Sequence, residues 1–317
     1  MGQNSAISWT QDTWNWIQGC TKKTIEIDGK IELRKECDHC YMYREKKRYG
    51  QKPQIVVRSK DATFNKPLKW QREAEQGLRP TLASRLIFTC SWSDWNNPEA
   101  DEWRPEAWEI VRRCPDLIFQ ILTKLPQRMP DHLPSYWDEI KEQCWVGVSA
   151  GYQEAADEMI KYLRLIDAPH RFVSYEPSLG LVDWSEYTGV IDWLISGGES
   201  DGGQAPYARP SHIEWFRRAR DWALANGVAF HHKQNGEWIS KTEIADWTED
   251  GWKTKPEWIP LIKGSQWGIL NINGKFLPET TTWNGRQNAP QDDYEVTVYK
   301  VGKHAAGRLL DGIEWNQ

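Results

Sequence analysis

Short apolar runs alternate with stretches of helical periodicity along most of this chain, and that rhythm restricts its fold more than any other feature. The runs fall at residues 7–10, 55–58, 86–92, 117–123, 145–149, 171–175, 190–196 and 228–232. Helical patterns occupy 105–113, 153–165 and 210–225, with Pro105 and Pro210 where a first helical turn tolerates proline. A strand-length run followed by a helix-length pattern reads as a strand and its crossover, so the strands are expected to be parallel. Seven or eight such units predict an α/β fold built as a complete or partial (β/α) barrel. After Gly236 the rhythm breaks. Residues 238–260 are polar and punctuated by tryptophan, 267–276 read as a hairpin around Asn273-Gly274, 294–301 as a strand and 303–310 as a short helix. The expected division is a barrel with an N-terminal cysteine loop over 1–236 and a small α+β appendage over 237–317, too poor in apolar residues to form a core alone.

The start of the chain lacks a basic and then apolar leader, and no stretch reaches the apolar length that spans a bilayer. A soluble, cytoplasmic protein with no membrane partner is expected. A net charge of −5 argues against coating nucleic acid through bulk electrostatics, although residues 41–80 are locally basic and would suit a polyanionic substrate or simply be solvated helix faces. Most of the 21 tryptophans must be packing. Trp14, Trp145 and Trp193 sit in or against predicted strands, Trp215 and Trp222 share one helical stripe, and only the loop residues Trp92, Trp95 and Trp103 are candidate substrate contacts.

Six cysteines are too few for a disulfide scaffold in a chain of 317 residues. Cys90, Cys114 and Cys144 adjoin apolar runs and are expected to be buried thiols. Cys20, Cys37 and Cys40 differ: their spacing is C-x16-C-x2-C, with a predicted hairpin inserted at 25–33 around Asp28-Gly29. Three thiolates with no obvious fourth leave a metal incompletely ligated, which is the condition for chemistry rather than for structure. Cubane iron–sulfur clusters normally take four thiolates, so three would leave one iron open. A redox pair, inert core cysteines, or zinc completed by His39 are the other readings of the same residues.

The predicted strands end on polar or small residues, and in a parallel barrel those ends share the face where active sites lie. The ends supply Ser93 and Asp94, Lys124, Ser149, Glu176, Gly197-Gly198-Glu199, and Lys233-Gln234. Taken singly, each has an ordinary explanation. A Gly-Gly-Glu turn is a common tight connection, and Lys124 or Arg128 would serve as rim salt bridges.

In order along the chain stand Trp14-Asn15, Gly19-Cys20-Thr21, Cys37-x-x-Cys40-Tyr41, Ser93-Asp94, Ile121-Leu122-Thr123-Lys124 with Pro126 and Arg128-Met129, and Gly147-Val148-Ser149. They continue with Phe172-x-Ser174-x-Glu176-Pro177, Gly197-Gly198-Glu199-Ser200, Ala208-Arg209-Pro210, Lys233-Gln234-x-Gly236, Gly302-Lys303, Ala306-Gly307-Arg308 and Asp311-Gly312. On these residues the chain resembles the three-cysteine-motif proteins of phages and prophages, which are similar to radical SAM enzymes in cluster loop and barrel. It departs from them in a first cysteine gap lengthened by the hairpin and in Asn235, where the family often has tryptophan.

The resemblance implies a barrel of the radical SAM type and a [4Fe–4S] cluster held by Cys20, Cys37 and Cys40, with S-adenosylmethionine chelating the fourth iron. It implies reductive cleavage of that cofactor and hydrogen abstraction from a substrate. Gly197 and Gly198 would permit close approach, Glu199 would accept from the cofactor amine or ribose, and Lys124 and Arg128 would pair with its carboxylate or with a substrate phosphate. Ser93, Asp94, Ser149 and Glu176 would be cofactor contacts, Lys233 and Gln234 would bind cofactor or substrate, and Tyr41 would pack beside the cluster or adenine. A nucleic-acid base or nucleotide is one candidate substrate class, a protein, peptide or small metabolite being the others, and an electron donor is a required partner. The alternatives are a noncatalytic zinc- or cluster-binding interaction module, and a barrel hydrolase working through Glu176 and Glu199.

Overall fold

A computed structural model describes residues 5–204, 207–249, 251–278 and 295–316. The predicted α/β alternation is present as seven strands: β1 (Asp12–Trp14), β2 (Leu86–Thr89), β3 (Ile118–Thr123), β4 (Cys144–Ser149), β5 (His170–Tyr175), β6 (Trp193–Gly197) and β7 (Ala229–Gln234). They form one parallel sheet in sequence order, with Thr123 opposite Val148 and Ser149 opposite Ser174. The sheet begins at β1 and ends at β7, so the barrel is partial. The longer helices are α1 (Tyr41–Arg48), α2 (Lys66–Glu75), α3 (Arg104–Arg112), α4 (Gln153–Leu163) and α5 (Ile213–Ala225). None is long and apolar enough to cross a membrane.

Two expected strands are corrected. The first lies at Asp12–Trp14 rather than at 7–10, because Thr10 turns its hydroxyl onto the Leu86 carbonyl at 3.2 Å and accepts from the Phe88 amide at 3.0 Å. That side chain fills ladder positions a strand would use. The run at 55–58 is not a barrel strand either, since Val57–Arg58 pairs antiparallel with Ile17–Gln18 and clasps the base of the cysteine loop.

The chain divides into two compact units, one of residues 1–150, 154–174 and 187–193, the other of 151–153, 175–186 and 194–317. In the first, aromatic rings fill the sheet's inner face at its N-terminal end. Trp9 lies 4.6 Å from Phe88 and 6.0 Å from Trp193, and Trp193 lies 5.8 Å from Trp145, all in tilted or edge-to-face contact. Further along the same face come Lys124 and Ser149, so apolar packing gives way to polar groups toward the strand C-termini. Trp95, a candidate substrate contact by its loop position, is fully buried, ringed by Trp14, Trp16 and Trp108. Trp92 and Trp103 are half-buried.

In the second unit Trp238–Ser240, Glu295–Lys300, Trp267–Asn271 and Phe276–Pro278 make an antiparallel sheet in that spatial order. Its Trp267–Asn271 and Phe276–Pro278 strands form the predicted hairpin around Asn273-Gly274. Ile239, Ile244 and Ala306 form a small core with Trp258, Ile262 and Tyr299. The expected closing helix is one turn, Lys303–Ala306. The tail then returns along β7: the His232 amide donates to the Trp315 carbonyl at 3.2 Å, and His231 bridges Asn316. This covering protects an edge strand that would otherwise offer unpaired amides.

Candidate functional site

The cysteine loop leaves β1 and is held at several points within the first unit. Gly19 accepts the Ser93 hydroxyl at 2.6 Å and donates to the Trp92 carbonyl at 2.9 Å, while Cys20 donates to the Pro53 carbonyl at 3.0 Å. Gly19 has φ +96°, and a Cβ there would stand 2.0 Å from the Ile55 carbonyl oxygen, so only glycine fits. The predicted insertion is present as a hairpin of Thr24–Ile27 and Lys30–Leu33 turning at Asp28-Gly29. Cys37 lies in a short helix, Lys35–Asp38, and Cys40 immediately precedes α1. The C-x2-C pair therefore spans a break between two helices, with the positive end of the α1 dipole next to Cys40.

All three cysteines are free thiols. Burial pushes Cys20 up to about 12, with Lys23 and Lys124 pulling it down and Asp94 and Cys37 pushing it up. Cys37 is raised, again chiefly by burial, while Lys124 and a 3.5 Å contact from the Lys23 amide work against the rise. The phenol of Tyr43 is raised first by burial and also by Cys20, Cys40 and Cys37, so one ring senses all three sulfurs. Its hydroxyl donates to the Cys20 carbonyl at 2.5 Å. Among the described residues no three His, Cys, Asp or Glu side chains are spaced to hold a metal ion.

Behind the loop the strand ends form a connected polar layer. Lys124 donates from Nζ to Ser149 Oγ at 3.1 Å. Burial opposes its charge, but Cys37, Glu36 and Asp94 hold the ammonium above its ordinary value. Asp94 is buried and accepts from Thr123 Oγ1 at 2.6 Å, the Lys124 amide at 2.7 Å and the Asn96 amide at 3.0 Å. These bonds fix the turn after β3. Tyr41 is exposed, and its hydroxyl donates to the Ser91 carbonyl. Arg128 turns to Asp101 at 2.7 Å, an ion pair of the rim kind that its position allows.

Sequence reasoning missed Arg34, which is fully buried and joins Glu36 at 3.0 Å to the Ser149 carbonyl at 3.1 Å. Nothing in its sequence context, an arginine after a hairpin, marks it. Tyr43 was also missed. A cavity of about 510 Å³ bounded by Asp101, Trp108, His132 and Tyr136 contains none of the expected site residues.

The second unit brings Glu176, Gly197, Gly198, Lys233 and Gln234 together. Glu176 Oε1 accepts from Lys233 Nζ at 2.6 Å and Gln234 Nε2 at 3.3 Å, and Gln234 also donates to the Gly198 carbonyl at 3.0 Å. Gly198 crosses the Asn235 backbone so closely that a Cβ would lie 2.1 Å from its carbonyl oxygen. That crossing accounts for the glycine without a ligand. Glu199 is 7% exposed and bound by Arg209 from the amide at 2.8 Å, from Nε at 2.9 Å and from Nη2 at 2.5 Å. Asn235 Nδ2 donates to the carbonyls of Ala306 at 2.9 Å and Leu309 at 3.0 Å, tying the tail to the end of β7.

No curated protein and no solved structure matches the chain. A family model described as "Protein of unknown function (DUF5131)" matches residues 4–317, and the chain belongs to that family.

Proposed function

We propose that this chain is a radical SAM-type iron–sulfur enzyme of the cytoplasm, similar to the three-cysteine-motif proteins of phages and prophages, acting on a nucleic-acid base or nucleotide. What supports the reading is three free thiols on one loop whose backbone is pinned at Gly19 and Cys20, with Cys37 Sγ accepting the Lys23 amide at 3.5 Å. The donor type suits the group, while the three side chains as they stand are not spaced to hold a metal ion among the described residues. Thiolates are the ligands iron–sulfur clusters take; burial raises Cys20 and Cys37 overall, and nearby lysines offset part of that rise. Cys20, Cys37 and Cys40 would hold three irons of a [4Fe–4S] cluster, leaving the fourth for S-adenosylmethionine. Bound there, the pair would supply reductive cleavage of the sulfonium and hydrogen abstraction.

The remaining work belongs to the chain. Ser93, Pro53 and Tyr43 fix the backbone around Cys20, while Arg34 and Asp94 hold the strand ends that present Ser149 and Lys124. The aromatic packing of Trp9, Phe88, Trp145 and Trp193 excludes water from the inner face below them. The resemblance assigns Tyr41, Glu176, Gly197, Gly198, Glu199, Lys233 and Gln234 to the cofactor or its substrate; within the second unit, Arg209 is the counter-ion of Glu199.

Single alanine substitutions at Cys20, Cys37 and Cys40, followed by iron and acid-labile sulfide analysis after anaerobic reconstitution, test the ligand assignment. Loss of both in each variant is expected. Wild-type iron and sulfide in all three variants, or stoichiometric zinc in colourless protein, would overturn it.

A further inference from the structure

The hairpin inserted between Cys20 and Cys37 takes no part in the chemistry proposed above, and it carries an open strand edge. Asp28 and Gly29, at φ +50° and +74°, form its two-residue turn, and Lys30–Leu33 pairs with Thr24–Ile27 and with no other strand among the described residues. In such a hairpin the residues flanking the turn bond each other, so Lys30 and Glu32 direct their amides and carbonyls to Thr24–Ile27 while Ile31 and Leu33 direct theirs outward. Neither outward set finds a backbone partner among the described residues. All four residues of the strand are exposed, Ile31 at 69% and Leu33 at 42%. The hairpin is nonetheless firmly rooted, because Ile25 is buried and the Arg34 amide returns to the Lys23 carbonyl at 2.9 Å.

An open edge with exposed apolar side chains is a template for another strand. The charges on this one make it complementary to its own copy. Lys30 and Glu32 stand two apart with opposite sign, and neither enters an ion pair among the described residues. An antiparallel pairing across the outer edge, centred on Ile31, is a two-fold contact in which the same residues serve on both sides. Ile31 meets the second copy's Ile31 as a hydrogen-bonded pair, using the backbone groups that point outward. Lys30 and Glu32 then meet the second copy's Glu32 and Lys30 at non-hydrogen-bonded positions, where facing side chains stand closest. Centred instead on Leu33, the next outward residue, the pairing would set Glu32 opposite Arg34, which is fully buried. A strand of unrelated sequence would satisfy the edge amides but not this alternation of charge.

We propose that Lys30–Leu33 is a self-association edge that joins two copies of this chain through an antiparallel strand pair centred on Ile31. Sedimentation equilibrium of the full chain at low salt tests it, followed up to about 0.5 mM because so small a contact binds weakly. Wild type should show a monomer–dimer equilibrium. Lys30→Glu or Glu32→Lys sets like charges opposite each other twice per dimer, and each should weaken association at least about tenfold. The double variant Lys30→Glu, Glu32→Lys should restore association to within about threefold of wild type, and an equimolar mixture of the two single variants should do the same. That recovery also shows that the single variants fold. A wild type that stays monomeric throughout, single variants that associate like wild type, or a double variant and a mixture as weak as the single variants would each overturn the proposal. The measurement needs neither iron nor sulfide, so its outcome is independent of the enzyme reading.

Discussion

Acid should destabilise the second unit through two adjacent histidines on β7. His232 is fully buried, with Nδ1 2.8 Å from Ser196 Oγ and Nε2 3.1 Å from Asn235 Oδ1. Because Asn235 Nδ2 donates to two backbone carbonyls, its Oδ1 must face the ring, so Nε2 carries the proton and Nδ1 accepts from the serine. Protonating Nδ1 would turn that hydroxyl away and bury an uncompensated charge. His231 is also buried, and its Nε2 lies 3.5 Å from Arg308 Nη2, a cation that opposes a second positive charge.

Burial pushes His232 down to about 4, against a partial offset from Asn235, and burial with the charges of Arg308, His232 and Lys233 pushes His231 down to about 4. An unfolded histidine titrates near 6.5, so between these values the unfolded chain binds protons that the folded chain does not. Stability is therefore full above about pH 6.5 and falls as pH drops toward 4, by at most about 1.4 kcal/mol per pH unit for each histidine. The 2.5-unit window corresponds to about 3 kcal/mol for one ring, a large part of ordinary domain stability. Glu243, raised by burial, acts in the opposite direction and moderates the slope.

Urea unfolding at pH 7.5, 6.5, 5.5 and 4.5 should show the decline, and His232→Gln should flatten it while lowering stability at pH 7.5. Ring titration by NMR gives the same answer directly. A His232 titration near 6.5, or identical pH slopes for wild type and variant, would refute the reasoning.

Two further substitutions probe the scaffold. Gly198→Ala places a Cβ 2.1 Å from the Asn235 carbonyl oxygen, and displacing backbone at that crossing should cost about 2–4 kcal/mol in urea unfolding; a change below about 0.5 kcal/mol would contradict the close approach. Asp94→Ala removes the acceptor for Thr123, Lys124 and Asn96, so a loss of about 2–4 kcal/mol is expected, with faster amide exchange at Lys124. Unaltered exchange there would show that Asp94 does not hold the turn.

What the sequence revealed was local. The hairpin at Asp28-Gly29 was legible because turn chemistry sits in two adjacent residues, and Leu86–Thr89, Ile118–Thr123 and Cys144–Ser149 because apolar runs bounded by turns mark buried parallel strands. The run Ile55-Val56-Val57 has strand composition too, but its partner is Ile17–Gln18, and composition does not name partners. Trp95 lies in a polar loop by sequence and is buried only because Trp14, Trp16 and Trp108 converge on it. Long-range pairings were invisible for the same reason. Ser196 and His232 are 36 residues apart, Arg34 and Ser149 are 115 apart, and no periodicity links them. Glu199 and Arg209 were each singled out, yet their mutual ion pair follows only from the loop that folds one onto the other.

Three thiols on this loop are proposed to support reductive chemistry on S-adenosylmethionine. The most direct measurement is anaerobic reconstitution with iron and sulfide, then dithionite and S-adenosylmethionine, with chromatographic detection of 5′-deoxyadenosine. Wild type should form it and Cys20→Ala, Cys37→Ala and Cys40→Ala should not; a reconstituted wild type that yields none, with a cluster spectrum unmoved by the cofactor, would overturn the proposal.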